Sequence, residues 1–154
     1  SLTGLTLHVK SIDPAFVLPT GVRSLCLVSP KGIFDVARLL PLKHLERLSM
    51  TMSANKEPMD LSGLTSLTHL VSVLTPVCRV PTSLVEGTLS LKGDVDLSGL
   101  TQLTKLSVSL KKKPYVILPE HFKKVRVVSG EFGDKPTNAL YGEFEDGFGF
   151  DCLF

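Results

Sequence analysis

Asp60–Leu74 reads DLSGLTSLTHLVSVL, and Asp96–Leu110 reads DLSGLTQLTKLSVSL; ten of the fifteen positions are identical. A second pattern, LPTGVRSLCLVS (Leu18–Ser29) and LPEHFKKVRVVS (Leu118–Ser129), repeats Leu-Pro, Val or Phe, two Leu or Val, Val and Ser in one register. Val80–Leu84 (VPTSL) opens a weaker third copy of it, and Pro41–Met52 (PLKHLERLSMTM) follows the first pattern without the Asp-Leu-Ser start. Taking the second Leu of each L-x-x-L-x-L core as an anchor gives Leu5, Leu25, Leu48, Leu70, Leu89, Leu106 and Val125, with steps of 20, 23, 22, 19, 17 and 19 residues. Self-similarity at a period near 20 predicts a stack of coils, each one supersecondary unit long.

The physics follows from the repeat. A single coil has nothing to bury its leucines against, whereas stacked coils bury them in one continuous column. The x-L-x-L part alternates like a strand, and parallel strands about 4.8 Å apart make seven coils roughly 30 Å long. Pro19, Pro81 and Pro119 fall just before their strands, where a missing N–H costs little. The longest inter-strand segment, Lys31–Leu40, predicts a short helix with Ile33, Phe34, Ala37 and Leu40 on one face. The chain divides into a solenoid of about seven irregular coils (1–137) and an aromatic, acidic cap or tail (138–154).

The Asp-Leu-Ser-Gly-Leu-Thr-x-Leu-Thr-x-Leu segments resemble leucine-rich repeats of the internalin type. The Leu-Pro-x-x-h-x-x-Leu-x-Leu segments (h apolar) resemble those of bacterial-effector and protist repeat proteins. Together the resemblance covers residues 2 to 129. It implies a β-rich α/β solenoid: a right-handed superhelix, a parallel sheet on the concave face, and short irregular or helical convex segments. Family members mostly bind proteins on the concave face. One departure stands out. The family places Asn after each strand, where its amide satisfies loop backbone groups; here those positions hold Lys10, Pro30, Ser53, Thr75, Asp94, Lys111 and Gly130. Ser, Thr, Asp or water must serve those groups instead, and the coils are expected to be irregular.

With the leucines inward, the alternate positions face the partner side. They are Thr6 and His8; Ser24, Cys26 and Val28; Arg47, Ser49 and Thr51; His69 and Val71; Thr88, Ser90 and Lys92; Lys105, Ser107 and Ser109; Lys124, Arg126 and Val128. In the fourth coil, Leu70-Val71-Ser72-Val73 fits either register, and a one-residue slip inverts the faces. This face reads as free of carboxylates, with a basic cluster of Lys92, Lys105, Lys124 and Arg126. Arg47, Ser49, His69, Ser90, Lys92, Lys105, Ser107, Lys124 and Arg126 are the candidate partner-binding residues. Two readings stand side by side. The face binds an acidic protein segment steered by charge, or it is a solubilising sheet surface, which needs polar side chains in any case. The face has no large aromatic of the kind that anchors tight interfaces.

Composition narrows the classes. Hydrophobic residues make up 43% and charged residues 21%, which suits a packed domain rather than a disordered chain. Trp is absent and Tyr occurs only at 115 and 141, as a core of small aliphatics in repeating layers requires. A net charge of +2 argues against a nucleic-acid or anionic-membrane partner. Lys111-Lys112-Lys113, ahead of Pro114, reads as a solvated turn. No apolar stretch approaches the ~20 residues of a membrane span. Cys26, Cys78 and Cys152 form no metal-ligand spacing and read as free thiols; with no glycosylation sequon and no visible leader they lean toward an intracellular setting. The chain opens at Ser1 without Met, as expected of a piece of a longer protein.

Nothing in the sequence supplies an active site. Nucleophile elbows, P-loops, HExxH and CxxC are absent, and His8, His44, His69 and His121 are isolated. A parallel β-helix hydrolase shares the coil length but needs paired carboxylates on a strand face. The acids here fall in turns (Asp13, Asp35, Asp60, Asp94, Asp96) or in the C-terminal stretch. The expectation is a protein-interaction module, not an enzyme, without cofactor or metal. The alternative is a structural element that self-assembles through sheet edges or the C-terminal tail, and a β-helix hydrolase is a distant third.

Overall fold

Each Leu-x-x-Leu step of the sequence is one backbone turn. In the computed structural model, the Leu64 N–H donates to the Leu61 carbonyl and the Leu67 N–H to the Leu64 carbonyl, both at 3.0 Å. The same pairs close Leu97–Leu100–Leu103 and Leu39–Leu42–Leu45. Bonds from residue i+3 to residue i stack side chains three apart on one side. All nine of these leucines therefore point inward, none more than 4% exposed. The Leu-Pro coils carry one such turn, from Pro19 to Val22, Pro81 to Leu84 and Pro119 to Phe122. Proline suits the start of the turn because only its carbonyl is used there.

The structure describes residues 3–8, 16–29, 35–52, 59–111, 114–122, 124–129 and 140–142; at 8, 29, 52, 124 and 140–142 the description is of backbone alone. After the turns each coil runs into a strand: β1 (Gly4–His8), β2 (Ser24–Ser29), β3 (Arg47–Met52), β4 (His69–Leu74), β5 (Glu86–Leu91), β7 (Lys105–Leu110), β9 (Lys124–Ser129) and β10 (Leu140–Gly142). They form one eight-stranded sheet in that order, every neighbouring pair parallel. Two short strands, β6 (Val95–Asp96) and β8 (Val116–Ile117), pair in a second, smaller ladder, and an isolated parallel bridge joins Asp60 to Arg79. The architecture is a β-solenoid with a continuous leucine and valine core. β10 lies within the stretch that the sequence reading set apart as a tail; 143–154 lie outside the described residues.

The only helical turn among the described residues is a 3₁₀ turn, Val36–Leu39, capped by Asp35, whose carboxylate accepts the Ala37 N–H at 2.9 Å. This corrects the expected helix face. Val36 and Leu39 are buried, while Ala37 and Leu40 are exposed. The reason is the period: Leu39 continues the three-residue column into Leu42 and Leu45, so an α-helical face misplaces the inward residues. Ile33 and Phe34 lie outside the described residues.

A second correction concerns register. Leu70 pairs with Gly87, not Leu89, and Gly87 pairs with Leu106. The aligned positions Leu5, Leu25, Leu48, Leu70, Gly87 and Leu106 are thus 20, 23, 22, 17 and 19 residues apart. A Cβ at Gly87 would lie 3.3 Å from the Leu106 Cδ1 and 3.5 Å from Leu89, so these neighbours close over the missing side chain. In the fourth coil Leu70, Ser72 and Leu74 face the core, which leaves His69, Val71 and Val73 on the other face. A bulge sits where β7 meets β9: Val108 pairs with Val127 but Ser109 pairs with Ser129, leaving Val128 unopposed.

A ladder of backbone hydrogen bonds joins successive coils just before their strands. Carbonyls of Thr3, Arg23, Glu46, Thr68 and Val85 each accept two consecutive N–H groups from the following coil, at 2.8 to 3.2 Å. The hydroxyls of Thr68 and Thr104 add donors to the Glu46 and Val85 carbonyls, at 3.1 and 3.2 Å. Ser66 and Ser83 likewise donate to the carbonyls of Lys43 and Leu67. Asp60 and Asp96 hold the return turns, each accepting the N–H two residues on, from Ser62 and Ser98, at 2.9 Å. Asp94 ties neighbouring coils by accepting the Tyr115 N–H at 2.8 Å.

Candidate partner-binding face

Alternation sends the first, third and fifth residues of each main-sheet strand away from the core. The first row runs Ser24, Arg47, His69, Glu86, Lys105 and Lys124 across β2, β3, β4, β5, β7 and β9. The third row runs Cys26, Ser49, Val71, Thr88, Ser107 and Arg126. The face therefore contains a carboxylate, contrary to the sequence reading. With Leu89 as anchor Glu86 falls in a loop; the observed register places it in the row, between His69 and Lys105.

Glu86 organises its surroundings. Its Oε1 accepts from the Lys105 Nζ at 2.7 Å, and its Oε2 lies 3.6 Å from the His69 Nε2. The Lys105 hydrogen bond, helped by the charge of Lys105, His69 and Arg47, holds the Glu86 carboxyl below its ordinary range against a smaller desolvation effect. On the other side of the ring, the Thr68 hydroxyl bridges His69 Nδ1 (2.8 Å) and the Glu46 carbonyl, which fixes the imidazole. Lys105 is 75% exposed, so its pair with Glu86 contributes about 0–1 kcal/mol and orients the side chains more than it stabilises the fold. Around these groups lies a shallow basin of about 370 Å³, lined by Arg47, His69, Val71, Glu86, Thr88, Lys105 and Ser107.

The candidate residues separate by accessibility. Arg47, Lys92 and Lys105 are exposed, and His69, Ser107 and Arg126 are half-buried. Ser49 and Ser90 are buried at 3% and 4% and do not project, and neither lines the basin. The backbone of Lys124 continues the first row; its side chain lies outside the described residues. Lys92 falls one residue beyond β5, not within it, aligned with Lys111 beyond β7 because Leu91 pairs with Leu110. The Lys92 and Lys111 N–H groups donate to the Leu74 and Leu91 carbonyls, which fixes both positions.

Cysteine usage is also corrected. Cys26, buried in the third row, is disulfide-bonded, and Cys78 is a free thiol. Cys78 Sγ accepts the Thr75 N–H at 3.4 Å in the turn after β4. The acids of the return turns are engaged in folding: the Ser62 hydroxyl and N–H hold Asp60 below the usual carboxylate range, and Ser98 does the same for Asp96.

The Glu86 position was within reach of the sequence. Counting from Val80-Pro81 as from Leu18-Pro19 and Leu118-Pro119 puts Leu84 at the apolar turn position and Gly87 at the anchor. The L-x-x-L-x-L count obscured this because it sought a leucine where the chain has glycine. Comparison with protein-family models, curated proteins and solved structures found no match.

Proposed function

We propose that this chain is a protein-recognition module of the leucine-rich-repeat type, which takes a partner on the outer face of its main sheet. The observation that supports this is the row Arg47–His69–Glu86–Lys105. Two exposed cations and a ring held by Thr68 surround one carboxylate at a basin also lined by Leu70, Val71, Thr88 and Ser107. Fixed charges of both signs select the orientation of a bound partner more than they raise raw affinity. Cations outnumber the single carboxylate in this row, which favours a partner with an acidic surface. The lack of large aromatics among the described residues of the face fits a moderate affinity.

The test is cross-linked capture from a lysate of the source organism, comparing the native chain with a Lys105→Glu/Arg126→Glu variant of equal melting temperature. The expected result is a protein retained by the native chain and lost by the variant. An identical set of captured proteins would refute recognition through this face.

Self-assembly has one specific observation in its favour: Leu5 and Leu7 of β1 are only half-buried, unlike Leu25 and Leu27 beside them. A mass in solution that rises with concentration would favour that reading, and a monomer across the same range would remove it.

A further inference from the structure

Building on recognition through the outer face, we propose that the partner segment is an extended acidic peptide lying along β5 and β7, with acidic groups at both ends. The argument starts from the two ends of those strands. At the start of β7, Lys105 stands with Arg47 around the basin. At the far end, Lys92 and Lys111 occupy aligned positions on adjacent coils, both exposed, and neither makes a hydrogen bond or ion pair through its side chain. Adjacent strands are about 4.8 Å apart, and like charges directly opposite are destabilising. An anion between the two ammonium groups relieves that repulsion.

Between the ends, the outward residues are Thr88 and Ser90 on β5 and Ser107 and Ser109 on β7. None is charged or bulky, so an extended main chain can approach the sheet closely; Thr88 and Ser107 offer hydroxyls to it, while Ser90 is buried and the Ser109 hydroxyl is bonded to that of Ser129. From Lys105 to Lys111 is six residues of chain, about 20 Å at ~3.3 Å per residue. A peptide of about seven residues spans it in the extended form. The crossing direction is less favourable. A peptide laid across the strands along the first row would meet Glu86 in mid-span, whereas one along the strands meets that carboxylate only at the end where Lys105 and Arg47 flank it.

The probe is a pair of fluorescein-labelled nine-residue peptides of identical composition, Glu-Glu-Ser-Gly-Ser-Gly-Ser-Glu-Glu and Ser-Gly-Glu-Glu-Glu-Glu-Ser-Gly-Ser. Binding is followed by fluorescence anisotropy at low ionic strength, where exposed charge contacts are least screened. The end-charged peptide should bind about three- to tenfold more tightly than the centre-charged one. Lys92→Gln/Lys111→Gln should remove that preference while leaving the melting temperature unchanged. Equal binding of both peptides, no binding of either, or a preference that survives the double substitution overturns the along-strand arrangement. Recognition by the face would still stand if Lys105→Glu/Arg126→Glu abolished partner capture while the peptides bound equally, so the two readings fail separately.

Discussion

Replacing Gly87 with leucine restores the residue type found at the aligned positions of the neighbouring coils, and it should destabilise the protein. In the observed register Gly87 faces the core between Leu70 and Leu106. The first added carbon already meets the Leu106 Cδ1 at 3.3 Å, tighter than an ordinary contact, and Leu89 at 3.5 Å, so seating three more carbons requires these side chains to move. Overpacking of this kind costs about 1–3 kcal/mol. For a chain of this size each kcal/mol shifts the midpoint by about 2–4 °C, so the melting temperature should fall by about 2–12 °C. Thr88→Leu is the internal control: Thr88 is half-buried on the outer face, and such a change should stay within about 0.5 kcal/mol. Thermal and urea melts of the three proteins make the comparison. A Gly87→Leu protein at least as stable as the native one would refute the register. It would take Glu86 out of the charged row and with it the description of the basin.

Three further outcomes follow from the packing and hydrogen bonding. Leu64→Ala should cost about 2–5 kcal/mol because Leu64 is 1% exposed in the three-residue column, whereas Leu40→Ala, 37% exposed, should cost far less; urea melts compare them directly. Thr104→Val removes a hydroxyl donor from the Val85 carbonyl, which keeps its two N–H donors, so the loss should sit near the low end of about 0.5–1.5 kcal/mol by chemical denaturation. Asp60, Glu86 and Asp96 have folded-state pKa values below their unfolded ones. Their stabilisation is present above the ordinary carboxylate range and lost as pH falls through the folded values, so melts should decline on acidification below about pH 4. In Asp60→Asn/Asp96→Asn that decline should be shallower.

The leucine pattern was legible because every inward residue of the return turns is large and apolar. Leu61, Leu64, Leu67 and Leu70 announce their spacing without reference to any other coil. The strands read well for the same reason, as Leu106, Val108 and Leu110 alternate with Ser107 and Ser109. What escaped depended on partners distant in sequence. Gly87 carries no side chain to mark it as inward, and its error passed directly to Glu86. Val95–Asp96 and Val116–Ile117 are too short for any period to emerge, so the second ladder was not foreseen. The disulfide at Cys26 could not be read from spacing, since three widely separated cysteines specify no pairing.

The interrupted second ladder has a consequence for how the molecule comes apart. Its pairings join the coil of Asp60 to that of Arg79 and the coil of Val95 to that of Val116, yet among the described residues none crosses from Arg79 to Val95. In a stack where each coil touches only its neighbours, stability is set joint by joint. Between β4 and β9 the joint of β5 with β7 rests on the main sheet alone, so amide hydrogens in its return turns should exchange sooner than those of the bridged turns on either side. Lys92 and Lys111 straddle that seam, so a peptide held between them would act as a splint across it.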